Sequence, residues 1–123
     1  MICLDSNYLI RCIEFGSEEA AEISQWHRED ELLVAPMPAW YEFTCGPLTR
    51  RQEETVFAFL ADIVPFTEAH AREAARLYNA AGRQRRLRVD AMIAATATLA
   101  KARLATNNRK DFAPFRPHGL ELV

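Results

Sequence analysis

The sequence predicts an α/β fold with helices on both faces of a central, mainly parallel sheet. Short apolar runs alternate along the chain with longer helical patterns, which is typical of parallel strands joined by helices. Half of the 123 residues are apolar, and this length and composition suffice for one domain with a buried core. We therefore expect a single three-layer α/β/α domain over residues 1–123, with four to five strands.

Five apolar runs are the predicted strands. They are Ile2–Leu4, Leu32–Ala35, Ile63–Phe66, Leu104–Thr106 and Leu120–Val123. Because Pro65 lacks a backbone N–H to donate, it predicts that the third run lies at a sheet edge or ends early.

Capping residues indicate where the helices begin. Ser17, Thr49 and Thr67 are placed to cap three helices, and Pro38 suits the first turn of a fourth. Thr49 is followed three residues later by Gln52, which together predict a capping box.

A last long helix is predicted to follow Asp90, so that this acid lies at or near a helix N-terminus. The spacing of its apolar residues is helical and predicts one packed stripe. The stripe comprises Val89, Met92, Ile93, Thr96, Ala97 and Ala100.

Charge and cysteine usage narrow the class of protein. A net charge of −2 gives no overall attraction to nucleic acid, so any such binding requires a local basic patch. Cys3, Cys12 and Cys45 form no CxxC pair, which favours a reducing compartment. We see no signal peptide and no apolar run near the ~20 residues of a spanning helix. We therefore expect a cytoplasmic protein without membrane contact.

Four acids are predicted to meet at one edge of the sheet. Asp5 directly follows the first strand, and Asp111 lies in a loop shortly after the fourth, so both belong to the carboxyl edge. Asp90 begins the packed helix, and Glu42 lies in the helix after the second strand, where one turn brings it over the sheet end. Ligands of open α/β sheets bind at this edge.

Each acid also has a simpler interpretation. Asp90 alone is typical of a helix N-cap, Glu42 of a solvated surface, and Asp111 of a turn residue. Asp5 is the hardest to explain in this way, because it ends a strand that should be buried.

Several unpaired carboxylates in one cleft repel one another unless a cation lies between them. Oxygen ligands without His or Cys favour Mg²⁺ or Mn²⁺ over zinc. The reaction that such a site performs best is metal-assisted hydrolysis of a phosphodiester, with one ion or two.

The chain resembles the PIN-domain ribonucleases. The resemblance is carried by LDSNYLI after the first strand, the isolated Glu42, DAMIAATA, and TNNRKDF near the end. It spans Ile2 to Phe112, and within the family the short length is most similar to VapC toxins of bacterial toxin–antitoxin pairs. The resemblance implies a PIN-like fold and a Mg²⁺-dependent endoribonuclease, commonly dimeric and inhibited by a cognate antitoxin.

The resemblance also implies roles for individual residues. Asp5, Glu42, Asp90 and Asp111 would be the acidic quartet that holds Mg²⁺, with Asn108 as an alternative to the fourth. The residues matching positions near the metal are Ser6, Thr106 and Asn108.

A basic stretch, GRQRRLRVD, precedes Asp90. Its arginines are Arg83, Arg85, Arg86 and Arg88. Arginine side chains suit bidentate phosphate contacts, so this stretch is either an RNA-binding patch or a solvated loop.

Three other classes of protein compete with the nuclease. A response-regulator receiver domain needs an Asp at the end of its third strand, where this chain has Pro65, Phe66 and Thr67. A haloacid-dehalogenase-type phosphatase needs an Asp two residues after the first, where Asn7 stands. A catalytically inactive PIN-fold module that binds RNA or protein stays open, although acids in the groove do not help a pure RNA binder.

Overall fold

The computed structural model of the protein describes every residue from Met1 to Val123. Its strands are β1 (Ile2–Leu4), β2 (Leu33–Pro36), β3 (Asp62–Val64) and β4 (Arg103–Ala105). They form one parallel sheet in the order β3-β2-β1-β4. β3 therefore lies at an edge, as Pro65 predicts, and β1 lies between two partners.

Helices cover both faces of the sheet, so the predicted three-layer α/β/α fold is confirmed. They are α1 (Ser6–Arg11), α2 (Glu18–Arg28), α3 (Met37–Thr44), α4 (Arg50–Phe59), α5 (Glu68–Ala80), α6 (Arg88–Leu99) and α7 (Arg109–Phe112), with 3₁₀ turns at Arg85–Leu87 and Ala113–His118. α6 packs against β1 and β2, α5 covers α6, and α1 lies against α3. None of these helices combines the length and the apolar character needed to cross a membrane.

The core lies where α6 meets the central strands. Every residue of β1 is fully buried, because the strand has a partner on each side and a helix above it. Ala91, Ala94 and Ala95 are also buried, and their small side chains allow α6 to approach the sheet closely. This packing fixes the start of α6 relative to the end of β1.

Ser17, Thr49 and Thr67 occupy N-cap positions as predicted, but the Thr67 side chain accepts no capping hydrogen bond. Ser17 Oγ accepts a hydrogen bond from the backbone N–H of Ala20 at 3.1 Å. Thr49 and Gln52 make both bonds of the capping box, at 2.9 and 3.1 Å.

Three sequence predictions were wrong in detail. The run Leu120–Val123 is not a strand, because the chain first passes through the 3₁₀ turn and only Leu122 then bridges to Leu104. Val89 does not belong to the packed stripe. It is 45% exposed, since the first turn of α6 extends beyond the sheet. α1 was not predicted at all, because its six residues are too few to show a helical period.

Candidate functional site

Asp5 lies at the carboxyl edge of the sheet, immediately after β1, and it is the N-cap of α1. Only 2% of its surface is exposed, yet no cationic side chain pairs with it. Its carboxylate accepts hydrogen bonds from Thr106 Oγ1 at 2.7 Å, from the Ser6 backbone N–H at 2.8 Å and from Asn7 Nδ2 at 3.0 Å. Burial raises the pKa of Asp5, and the same three hydrogen bonds oppose that rise. The structure therefore holds a buried carboxylate in place with neutral donors alone.

Asp90 and Glu42 reach the same edge from two other elements. Asp90 is in the first turn of α6, while Glu42 is an exposed residue of α3, which directly follows β2. The pKa of Asp90 is raised to about 6, first by burial and then by the charges of Asp5, Asp111 and Glu42. The pKa of Glu42 is raised by burial and by Asp5. The acids therefore lie near enough to one another at this edge for their charges to interact.

Asp111 is part of the short helix α7 rather than of a loop, which corrects the sequence prediction. Its Oδ1 accepts a hydrogen bond from Arg86 Nη1 at 2.7 Å, so the fourth acid is turned towards an arginine. Asn108 precedes α7 and is exposed, and its backbone N–H donates to Thr106 Oγ1 at 2.9 Å. Asn108 thus contacts the residue that holds Asp5, whereas Asp111 adds negative charge near Asp90.

The side chains at this edge suit a hard divalent cation in their chemistry. All four acids offer carboxylate oxygens, and their mutual repulsion is the condition that a cation would relieve. No three His, Cys, Asp or Glu side chains form a ready-made cage in the structure. Mg²⁺ usually takes only one or two carboxylates and keeps several waters, so Asp5 and Asp90 together are a sufficient donor set.

The four arginines of the basic stretch have different surroundings. Arg86 is bonded to Asp111 and opposes the rise in the pKa of Asp90. Arg83 bonds to Asn79 rather than to an acid, with its guanidinium 5.7 Å from the Tyr78 ring centre. Arg85 and Arg88 are exposed and belong to no salt bridge. Only Arg86 therefore reaches the acids directly.

Comparison with protein families identifies the fold. A family model described as the PIN domain matches residues 2–115, which is most of the chain. The chain belongs to the PIN domain family. The predicted resemblance to PIN domains is thereby confirmed.

Several solved structures are similar to this PIN domain, and one of them is a toxin–antitoxin complex. A chain of FitAcB from Neisseria gonorrhoeae has a TM-score of 0.75 and 20% identity over 99% of this chain and 96% of its own. A chain of a toxin–antitoxin complex from Klebsiella pneumoniae has a TM-score of 0.67 and 25% identity over 92% of this chain and 91% of its own. A chain of VapBC2 from Rickettsia felis, bound to a promoter DNA fragment, has a TM-score of 0.70 and 18% identity over 100% of this chain and 98% of its own. A comparison with curated protein sequences gives no significant match.

A cleft of about 800 Å³ lies beside the acids of this PIN domain. Glu42, Asp90 and Arg86 form its polar side. The opposite wall is apolar and comes from α3, α6 and the segment before α5, and it includes Met37, Tyr41, Phe66, Val89 and Met92. The cleft therefore places an apolar surface next to carboxylates and one guanidinium.

A second groove, of about 600 Å³, lies away from the acids between α2, α4 and the segment joining α1 to α2. Its lining is largely apolar and includes Ile13, Val56 and Phe59. Phe15, in the joining segment, is fully exposed at the rim.

Sequence reasoning missed the part that Asn7 plays. Asn7 donates from Nδ2 to Asp5 and accepts at Oδ1 from the backbone N–H of Asn107 at 3.1 Å. The available signal was an Asn two residues after an acid that ends a strand, which is a common arrangement at a helix start. Without α1 in the prediction, that signal had no structural context.

Proposed function

We propose that this chain is a divalent-metal-dependent endoribonuclease and the toxin of a type II toxin–antitoxin pair in the cytoplasm. One observation carries the proposal. The pKa of Asp90 is raised to about 6 by burial and by three other acids at the same sheet edge. Such clustering costs free energy of folding, and carboxylates with perturbed pKa values in a cleft are typical of functional sites. Members of the PIN domain family are generally nucleases, which supports the same reading.

In this proposal Asp5 and Asp90 hold Mg²⁺, or Mn²⁺ in its place, and Asp111 adds negative charge beside them. The bound ion would supply charge neutralisation on the phosphate and a more acidic water. Glu42 is exposed to the cleft and its pKa is raised, so its carboxylate suits a proton acceptor that also orients water. Thr106 and Ser6 keep the Asp5 carboxylate oriented by hydrogen bonding, at 2.7 and 2.8 Å. Asn108 supports Thr106.

RNA is the substrate we propose, and the arginines next to the acids are its contacts. Arg85 and Arg88 are exposed and free of salt bridges, so they suit phosphate binding. Arg86 can exchange Asp111 for a phosphate when the backbone of the RNA enters. Arg83 extends this basic stretch towards Tyr78.

The antitoxin is proposed as the protein partner. One of the similar solved structures is a toxin–antitoxin complex from Klebsiella pneumoniae, which supports a partner of this class. The apolar groove between α2 and α4, with the exposed Phe15 at its rim, is a surface where an apolar segment of such a partner can pack. We also propose a homodimer, in which the apolar wall of the cleft faces a second copy.

The decisive test is a calorimetric titration with Mg²⁺, followed by incubation of total bacterial RNA with the metal-loaded protein. We expect Mg²⁺ binding and RNA cleavage by the wild type, and loss of both in Asp5→Asn and in Asp90→Asn. The matched control is Asp62→Asn. Asp62 is an exposed aspartate at the start of β3, so it lies at the amino ends of the strands, opposite the acids. That variant should behave as the wild type.

Cleavage that persists in a carefully purified Asp5→Asn, Asp90→Asn double variant would reject the proposed mechanism. A folded wild type that neither binds Mg²⁺ nor cleaves RNA would favour the inactive PIN-fold module instead.

A further inference from the structure

A fifth carboxylate, Glu19, lies outside the acidic cluster and is almost as buried as Asp5. It is in the first turn of α2, where only 7% of its surface is exposed. Its Oε1 accepts a hydrogen bond from Asn107 Nδ2 at 2.8 Å. Hydrogen bonds from its own backbone N–H and from Asn107, together with the charge of Arg11, whose Nε lies 3.6 Å from Oε1, hold the pKa of Glu19 below its usual value, so it accepts as a carboxylate. Its Oε2 is buried and has no hydrogen-bond partner in the protein.

The contact with Asn107 connects Glu19 to Asp5 through two further bonds. The backbone N–H of Asn107 donates to Asn7 Oδ1 at 3.1 Å, and Asn7 Nδ2 donates to Asp5 Oδ2 at 3.0 Å. A backbone N–H can only donate, so it requires Asn7 to present its oxygen on that side. The amide of Asn7 must then present its NH₂ group to Asp5. The orientation of the donor at Asp5 is thus set by the position of Asn107.

Stability of α2 alone does not explain this arrangement. The macrodipole favours an acid in the first turn of a helix, but the neighbouring Glu18 meets that preference while remaining exposed. Glu19 instead loses the hydration of Oε2 without gaining a partner for it, which is unfavourable for folding. Its Oε1 also pairs with the half-exposed Arg11, but at 3.6 Å this contact is long. The short bond that Glu19 makes is the one at 2.8 Å, which anchors the side chain of Asn107.

We propose that Glu19 is a positioning residue, which acts through Asn107 and Asn7 to hold the Asp5 carboxylate in its orientation at the carboxyl edge. We call the hydrogen bonds that link Glu19, Asn107, Asn7 and Asp5 the relay. It joins three separate segments: α2, α1, and the connection from β4 to α7. The relay itself is a property of the fold. Its effect on metal binding rests on the function proposed above.

The first measurement uses the metal-free protein, labelled with ¹⁵N, and follows the side-chain amide resonances of Asn7. We expect Glu19→Ala to shift them, because Asn107 loses its anchor and its N–H moves relative to Asn7. Glu19→Gln keeps an acceptor for Asn107 and should largely restore the wild-type positions. The matched control, Glu18→Ala, removes an acid from the same helix turn and should leave these resonances unchanged. If Glu19→Ala fails to fold, Asn107→Ala takes its place, since that side chain is at the surface.

The second measurement is Mg²⁺ affinity by calorimetry. Loss of a partner that orients a metal ligand typically weakens binding about 10–100-fold, and we expect this for Glu19→Ala but not for Glu18→Ala. Asn107→Ala should have a similar effect, and the double variant should be no weaker than either single one, because both act through the same bond.

The outcomes separate this inference from the proposed function. Asn7 resonances that respond to Glu18→Ala as strongly as to Glu19→Ala, or that respond to neither, would overturn the relay. If the wild type binds Mg²⁺, equal affinities of Glu19→Ala and Glu18→Ala for the ion would also overturn it. If the wild type binds no Mg²⁺, the proposed function fails, whereas the resonances of Asn7 still decide whether Glu19 positions Asp5.

Discussion

Asp5 and Asp90 are both buried to some degree among like charges, but their surroundings differ in hydrogen bonding. Asp5 receives three donors, from Thr106, Ser6 and Asn7, which stabilise its ionised form. Asp90 has no such donors, and only the positive charge of Arg86 opposes the rise in its pKa. The free-energy cost of the acidic cluster is therefore concentrated on Asp90.

This difference predicts how stability depends on pH. The pKa of Asp90 rises from 3.8 to about 6 on folding, so the folded state binds the proton more tightly between these values. The stabilisation that comes from this tighter proton binding is fully present below pH 3.8. It is lost as the pH rises through the folded-state pKa of about 6. Asp90→Asn removes the repulsion and should stabilise the metal-free protein at neutral pH by about 1 kcal/mol, since solvent screens a partly exposed carboxylate.

Urea unfolding of wild type and Asp90→Asn across this pH range would measure the effect. The difference between them should be smallest in acid and should reach a plateau above the pKa of Asp90. Asp62→Asn, at the far edge of the sheet, should show no such trend. A stabilisation that is the same at every pH would mean that the effect of Asn is not electrostatic.

At the scale of elements, the outer surfaces of α3 and α6 are apolar where they border the acidic cleft. Met37 and Tyr41 of α3 are 39% and 67% exposed, and Val89 of α6 is 45% exposed. These side chains share the cleft with Glu42 and Asp90. An isologous dimer uses the same patch on both copies, so pairing through this surface would bring two acidic clefts together.

This arrangement predicts that Met37→Arg and Tyr41→Arg weaken self-association at least about tenfold, because each buries an unpaired charge at an apolar interface. Sedimentation velocity over a range of protein concentrations would measure the change. Leu32→Arg is the matched control, since Leu32 is 55% exposed but lies before β2, at the opposite edge of the sheet. A wild type that remains monomeric, or equal weakening by Leu32→Arg, would argue against this surface.

At the scale of the whole molecule, the acidic edge and the apolar groove between α2 and α4 lie on different parts of the fold. The net charge of −2 provides little general attraction to RNA, so the RNA binding that we propose depends on the arginines beside the cleft. In this proposal the partner in the groove and the substrate in the cleft meet separate surfaces. We therefore expect toxicity and its neutralisation to respond to different substitutions.

We predict that inducible expression of the wild type arrests bacterial growth, and that Asp5→Asn abolishes the arrest because the proposed metal site is lost. Co-expression of the cognate antitoxin should restore growth. Phe15→Asp, at the rim of the groove, should remain toxic but escape this rescue, since it places a charge on an apolar surface. Growth would be counted as colony-forming units after induction.

Phe57→Asp provides the control for the rescue experiment, because Phe57 is 60% exposed on α4 but does not line the groove. It should be toxic and should be rescued. Toxicity of Asp5→Asn equal to that of the wild type would contradict the proposed role of Asp5.

The sequence by itself determined the parallel sheet, the edge position of β3 and the capped helix starts. These features follow from local pattern: apolar runs, a proline without a donor, and capping residues at fixed spacing. The same pattern placed Asp5 and Asp111 at the carboxyl edge of the sheet, near the charges of Asp90 and Glu42.

Only the tertiary structure decided which groups hold these acids. The bonds of Asp5 to Thr106 and of Asn107 to Asn7 and Glu19 join residues about 90 to 100 positions apart, and no local period reports such contacts. The same holds for Arg86, which is one of four similar arginines in sequence and the one that folding brings to Asp111. Burial, which raises the pKa of Asp5 and Asp90, likewise arises only when the helices close over the sheet.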